Sequence, residues 1–282
     1  MSLKDILVFL DVTPASEGRL RLATRVARDH GASLSAVFAG NDQADFPPGL
    51  GVPRRGLITQ LIPSMEDMTQ SAMFVDVAEQ QFRECLCSLG GDGDWHQLDR
   101  PDDAEVVAIA RSADLIIIGQ TNPNTRTAST WRPQDVVVAC GRPVLMVPYI
   151  GTFTEVGRRV LVAWDGSREA VRALNDALPV IAAAEEVTVM TVHVRDKNVE
   201  RDRSTTERII RHLARHGIAA RVDQRLQSDN SISDWLLSRA TDFYVDMIVA
   251  GAYHHSPLRE ALTGGVSRDL FQRMTVPVLM SH

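Results

Sequence analysis

The sequence predicts an α/β protein of two tandem, doubly wound units, each with a parallel sheet of about five strands. Three observations carry this: one pattern appears twice, its apolar runs are too uniform for one-sided strands, and helical periodicity fills the spaces between them. Lys4-Asp5-Ile6-Leu7-Val8-Phe9-Leu10-Asp11 returns as Arg158-Arg159-Val160-Leu161-Val162-Ala163-Trp164-Asp165. Ala113-Asp114-Leu115-Ile116-Ile117-Ile118-Gly119 returns as Val245-Asp246-Met247-Ile248-Val249-Ala250-Gly251, and Pro143-Val144-Leu145-Met146-Val147 as Pro277-Val278-Leu279-Met280. A duplicated unit accounts for the whole length, with one domain over residues 1–150, another over 157–282, and a linker near 149–157 where Gly151 and polar residues interrupt the pattern.

Residues 6–10, 34–38, 115–118 and 144–147 read as strands covered on both faces, as a parallel sheet requires, and 160–163, 187–194, 248–250 and 276–280 repeat them. One further strand per half completes each sheet. After the first strand of each half comes a helix start. In the first half Thr13 is placed to cap and Pro14 to open the helix; in the second, Ser167 precedes Ala170, Leu174, Ala177, Leu178 and Ile181 at helical spacing. Pro179 is expected to kink or shorten that helix. Later helices open at Pro101-Asp102-Asp103 and at Asp229-Asn230-Ser231.

One region breaks the repeat. The first half carries an excess at about residues 40–70, containing Phe46-Pro47-Pro48-Gly49-Leu50-Gly51-Val52-Pro53. A helix follows from about Ser64, with Met68, Ala72, Val75, Glu79, Phe82 and Leu86 near one face. A lid over a ligand is one reading; an insertion that merely covers one edge of the first sheet is the other, since apolar helical faces usually belong to cores.

Composition narrows the function. A chain of 282 residues with 44% hydrophobic and 23% charged residues is globular in composition. Its net charge is −6 and its arginines are scattered, so no cationic stripe is available for nucleic-acid phosphates. Cys85, Cys87 and Cys140 form an odd set without metal-ligand spacing, which points to a reducing compartment. With no leader pattern and no apolar run of about 20 residues, the expectation is a cytoplasmic protein with neither membrane nor nucleic-acid partners.

The chemistry-bearing residues cluster at strand ends. In the second half Gly251 closes a strand and Gly264-Gly265-Val266-Ser267 opens a helix, so backbone N–H groups at a positive helix end can face an anion at the carboxyl edge of a parallel sheet. Phosphate suits that geometry. Asp165 and Gly166 follow the first strand of that half, and Ser167 stands at the helix start with two roles, N-cap and hydroxyl contact. Asp165 likewise has two readings, as the acceptor that holds the strand–helix turn and as a ligand contact.

These residues resemble the universal stress protein family. The resemblance rests on residues 160–167, the strand ending His193-Val194, residues 245–251, and the tail from Gly264 to Leu270 and on to Met280. It covers both halves. It implies a tandem protein of Rossmann-like, adenine nucleotide alpha hydrolase-like fold whose halves pair through their terminal strands as family dimers do. It also implies ATP or another adenine nucleotide as cofactor, in the second domain, with any magnesium ion arriving with the nucleotide. Nucleotide contacts are then expected at Asp165, Gly166, Ser167, Val194, Gly251, Gly264, Val266 and Ser267. ATP-binding members carry G-x-x-G-x9-G-[S/T] after the fourth strand; here Gly251 and Gly264 match, while His254 and Gly265 depart. His254 can obstruct the close approach that glycine allows, or it can swing out and donate to phosphate, with His255 and Arg259 adding charge.

The first half lacks such a loop. No glycine lies between Gly119 and Gly141, and residues 120–131, with Arg126 among hydroxyl groups, read as a polar loop that could at most take a different anion. Asp11 remains as the counterpart of Asp165. No nucleophile elbow, Walker loop or H-E-x-x-H motif is present, so the chain does not read as an enzyme, although slow ATP hydrolysis is compatible with it. His212 and His216, four residues apart among Arg211 and Arg215, read as a solvated helix face rather than a metal site, and His193 as a core histidine. Two functions stay in view: a stress-response protein that binds adenine nucleotide as a regulatory ligand, and a nucleotide-free scaffold for a protein partner. The architecture expected is an intramolecular pseudo-dimer of two separate sheets, with a homodimer optional; one sheet continuous across both halves would contradict it.

Overall fold

Both halves lay down the same elements in the same order, and the structure, a computed structural model, describes residues 2–40, 65–99, 101–123, 131–193, 199–226, 231–252 and 265–282. The first half runs β1 (Asp5–Leu10), α1 (Ala15–His30), β2 (Ser33–Gly40), α2 (Met65–Leu89), β3 (Trp95–Asp99), α3 (Asp103–Ala110), β4 (Leu115–Gly119), α4 (Pro133–Ala139) and β5 (Val144–Val147). The second runs β6 (Arg159–Ala163), α5 (Arg168–Ile181), β7 (Glu186–His193), α6 (Val199–Arg215), β8 (Ala220–Leu226), α7 (Ile232–Asp242), β9 (Met247–Gly251), α8 (Val266–Arg273) and β10 (Val278–Ser281). Within each half every strand pairing is parallel. The further strand of each half is its outermost one, β3 or β8.

The expectation of two separate sheets is corrected. The strand order is β3-β2-β1-β4-β5-β10-β9-β6-β7-β8, a single ten-stranded sheet in which β5 and β10 pair antiparallel, Leu145 opposite Leu279 and Met146 opposite Val278. Pairing through the terminal strands holds, and its consequence is continuity. A strand at the end of each half would otherwise leave a row of N–H and C=O groups without partners beside side chains that are almost wholly buried. Apolar packing is continuous across the junction on both faces. Leu145, Val147 and Leu279 join the core under α1, α2, α5 and α6, while Val144, Met146, Val278 and Met280 join the core on the opposite face. Arg172 of α5 donates to the carbonyl of Gly141 at 2.6 Å, and Gln120 donates to the carbonyl of Phe271 at 2.9 Å, so polar bonds also cross between the halves.

Local sequence explains most element ends. Asp102 caps α3 through the Glu105 N–H, Ser231 caps α7 in a reciprocal capping box with Asp234, and Ser167 caps α5 through the Ala170 N–H at 3.1 Å. At α1 the cap differs from the expectation: Pro14 occupies the N-cap position without a side-chain bond, and the Thr13 hydroxyl turns back to Asp11. Pro179 does not stop α5 at once; the helix passes through it and ends at Ile181. In the long helix α2, Val75, Phe82 and Leu86 are buried in the core, and α2 packs on α1 and β2, so that face covers the sheet. Residues 41–64, on which the lid reading rests, lie outside the described residues, as do the side chains of Met68 and Ala72.

One repeated device was not read from the sequence. Asp114, just before β4, accepts the N–H groups of Lys4 and Asp5, and Asp246, just before β9, accepts those of Gly157, Arg158 and Arg159 at 2.7–3.0 Å. Each carboxylate fastens the entry of the first strand of its half to the strand beside it.

Candidate functional site

In each half the chain moves outward from its first strand to two neighbours, then returns to the other side of that strand. The crevice between β1 and β4, and its counterpart between β6 and β9, is therefore the point where strand order reverses, and ligands of such sheets bind beyond the carboxyl ends of those strands.

The second-half crevice is built from short residues. Asp165 stands two residues past β6, exposed, with Oδ1 accepting the Ser167 N–H at 2.9 Å. The turn-holding role of Asp165 is thus present, and so is the capping role of Ser167. Gly166 sits at φ 73°, in the left-handed region that favours glycine. Gly251 has a packing reason to be glycine: a Cβ there would lie 2.6 Å from the backbone nitrogen of Ala170 and the carbonyl carbon of Glu169. The first turn of α5 lies directly against the end of β9. Val266 and Ser267 form the first turn of α8, after Gly265 in extended conformation with no side-chain cap. Because α8 connects the carboxyl end of β9 to the start of β10, that first turn faces the same edge of the sheet, and its N–H groups carry the positive end of the helix dipole. Val194, Gly264 and His254 lie outside the described residues.

The first-half crevice holds a residue that sequence reasoning passed over. Arg19, on α1, is 3% exposed. Its Nε donates to the carbonyl of Phe9 at 2.6 Å, and its Nη2 donates to Asp11 Oδ2 at 2.6 Å and to Ser16 Oγ at 3.5 Å. Nη1 lies over the end of β4, where a Cβ on Gly119 would come within 2.1 Å of it. The other oxygen of Asp11 accepts both the N–H and the hydroxyl of Thr13. Asp11 is the positional counterpart of Asp165, yet both of its oxygens are engaged by the protein itself. The signal was available: setting Asp11 on Asp165 aligns Arg19 with Ala173 on a helix face that otherwise matches, Leu20 with Leu174 and Ala23 with Ala177.

The remaining candidates carry little chemistry. Gln120 is buried, donating to Phe271 and accepting the Tyr149 N–H at 3.3 Å, so it serves the junction. Residues 124–130, including Arg126 and Thr127, lie outside the described residues. The rings of His212 and His216 meet edge-on at 4.7 Å, and among the described residues no group of three or more His, Cys, Asp or Glu could hold a metal ion. Cys140 is buried, and that burial pushes its thiol pKa up, away from the reactive thiolate. Among the described residues no helix is long and apolar enough to cross a membrane.

Residues 157–282 match the family model described as the Universal stress protein family. The match spans the second half of the chain. The whole chain is similar in structure to a universal stress protein from Archaeoglobus fulgidus DSM 4304, with a TM-score of 0.70, 16% identity, and coverage of 98% of this chain and 95% of that one. It is also similar to a functionally unknown protein from Pseudomonas aeruginosa PAO1, with a TM-score of 0.56, 15% identity, and coverage of 98% and 92%. At such identities the likeness shows the shared fold, and it extends over both halves. No curated protein matches the sequence. The half that matches the family model is thus the one whose crevice has alanine where the other has arginine.

Proposed function

We propose that the protein is a stress-response protein that binds ATP or a related adenine nucleotide in its second domain, residues 157–282, as a regulatory ligand rather than as a substrate to be turned over quickly. The observation that carries this reading is the crevice between β6 and β9 in a domain of the universal stress protein family. An exposed carboxylate at Asp165 stands on one side of it, and the first turn of α8, whose N-cap Gly265 has no side chain to cap it, faces the same sheet edge. The nucleotide would sit between Asp165, Val194 and Gly251, with Gly166 and Ser167 beside it, and its phosphates would lie over Gly264, Val266 and Ser267, where backbone N–H groups at a helix start favour negative charge. Any magnesium ion would enter with those phosphates. Nucleotide state would be presented to a protein partner either by the chain alone, with its built-in pairing of halves, or by a homodimer of it.

Heat denaturation of the purified protein, followed by absorbance and mass analysis of the supernatant, tests whether a nucleotide travels with it; titration calorimetry with ATP tests binding directly. Gly264→Leu should abolish binding, while changes at Asn122 or Thr127 should leave it intact. His254→Gly should tighten binding if the imidazole crowds the phosphates. Failure of every variant to bind would favour the nucleotide-free scaffold. The feature that favours this second reading is the first half, which has no glycine from 120 to 140 and a crevice lined by its own arginine.

A further inference from the structure

Arg19 has no part in the nucleotide reading, yet its surroundings are those of a bound ligand. A guanidinium is costly to remove from water, and a buried one persists only where acceptors surround it in good geometry. Here the acceptors come from separate walls of the crevice: the Phe9 carbonyl in β1, the Asp11 carboxylate just past it, and the Ser16 hydroxyl in the first turn of α1. The fourth wall is Gly119 at the end of β4, which leaves room for the planar group only because it has no Cβ. These are the elements that enclose the point of strand reversal. Side chains on a helix lean toward its N-terminus, which sends the Arg19 guanidinium from the fifth helical position to the carboxyl edge of the sheet. At the residue that aligns with Arg19 in the second half, Ala173 ends at its Cβ.

We infer that Arg19 is the resident occupant of the first crevice, a tethered guanidinium standing where the fold takes a ligand, and that the residue at this helix position decides which half is open. Removing the side chain should leave a slot floored by the Asp11 carboxylate that accepts a small planar cation such as guanidinium or methylguanidinium. This part is independent of any nucleotide. The converse, that arginine at position 173 closes the second crevice, rests on the proposed nucleotide site.

The first test is Arg19→Ala in the full chain. Its melting temperature should fall by roughly 5–10 °C, and low-millimolar guanidinium chloride should recover much of that loss. Sodium and tetramethylammonium chloride at equal ionic strength should not, and Asp11→Ala added to the variant should remove the rescue. Millimolar guanidinium is far below denaturing concentration, so wild type serves as the unaffected control. Equal effects of guanidinium and sodium, an unchanged melting temperature, or a variant that folds with neither ion would overturn the inference. The second test is Ala173→Arg: a folded protein whose nucleotide affinity falls at least about tenfold supports it, and unaltered affinity overturns it. Should wild type bind no nucleotide, the proposed function fails while the guanidinium rescue still decides the role of Arg19.

Discussion

The two crevices share a frame and differ in what fills it. Between β1 and β4, Asp11 is half-buried and holds Arg19 and Thr13; between β6 and β9, Asp165 is exposed and, among the described residues, holds only the backbone of its own turn. The same aspartate at the same strand end is therefore an internal counter-ion in one half and a surface group in the other. What separates them is one helix position, arginine in the first half and alanine in the second. A duplicated fold can thus retain its core and its strand-end carboxylate while one copy fills its own ligand position.

The sharpest break of this comparison is at the aspartates. Asp11→Ala strands a guanidinium that is 3% exposed, and losing one partner of a buried pair should cost about 3 kcal/mol. Asp165→Ala loses a turn-holding bond and should cost about 1 kcal/mol or less; under the proposed nucleotide reading it should also weaken nucleotide binding. Urea unfolding of the two variants measures the difference; equal costs would mean that Arg19 draws nothing substantial from Asp11.

The glycines that end β4 and β9 sharpen it further. Gly119→Ala would push a methyl into the Arg19 guanidinium, and Gly251→Ala would push one into the backbone at the start of α5. Each should cost about 1–3 kcal/mol as overpacking. The two should respond differently to a second change. With Arg19→Ala already made, Gly119→Ala should become nearly neutral, a strong coupling between contacting residues, whereas Gly251→Ala should keep its full cost in that background. A double-mutant cycle by chemical denaturation reads both, and additivity at Gly119 would place the guanidinium elsewhere.

Much of the fold could be read in the sequence because the repeat and the two-sided apolar strands are both strong signals. The buried strands β1, β4, β5, β6, β9 and β10 are apolar on both faces, and that is the pattern that was legible. The outermost strands, Trp-His-Gln-Leu-Asp in β3 and Ala-Arg-Val-Asp-Gln-Arg-Leu in β8, were expected only as unplaced additions, because an edge strand with one wet side has no such run. The single sheet was missed for a different reason: residue patterns report burial, and burial does not distinguish a strand covered by packing from one paired edge to edge. At the site, Ser167 and Asp165 were legible as turn and cap, because those roles follow from local sequence. Arg19 was not, since arginine is almost never fully buried unless paired, and its partners are set by tertiary structure. Only the alignment of Arg19 with Ala173 on otherwise matching faces could have exposed it.

The helix caps give a smaller contrast. Ser167→Ala removes a bond to the Ala170 N–H and should lower stability by about 1 kcal/mol. Thr13→Ala removes no cap from α1, whose N-cap is Pro14, and should cost only a few tenths of a kcal/mol through loss of its part-buried hydroxyl bond to Asp11. Thermal unfolding of the pair should order them that way; a larger loss at Thr13 would show that its bond to Asp11 is needed to keep the carboxylate on Arg19.

The least of these effects lies at the opposite edge of the sheet, in the paired staples Asp114 and Asp246. Burial of the Asp246 carboxyl pushes its pKa above the ordinary carboxylate value, and the N–H groups of Arg159, Gly157 and Arg158 oppose that only in part. A group that holds its proton more tightly in the folded chain favours folding when protonated. Its contribution is therefore fully present at pH below the usual carboxylate range and declines as pH rises through that range to the raised folded value, the reverse of a carboxylate held by a salt bridge. Carboxyl-detected NMR titration should find Asp246 protonating above the exposed aspartates, and urea unfolding across the same range should show a slope that Asp246→Asn flattens. An Asp246 that titrates at or below the ordinary value would mean that its three N–H donors outweigh burial, and the staple would then lose strength on acidification instead.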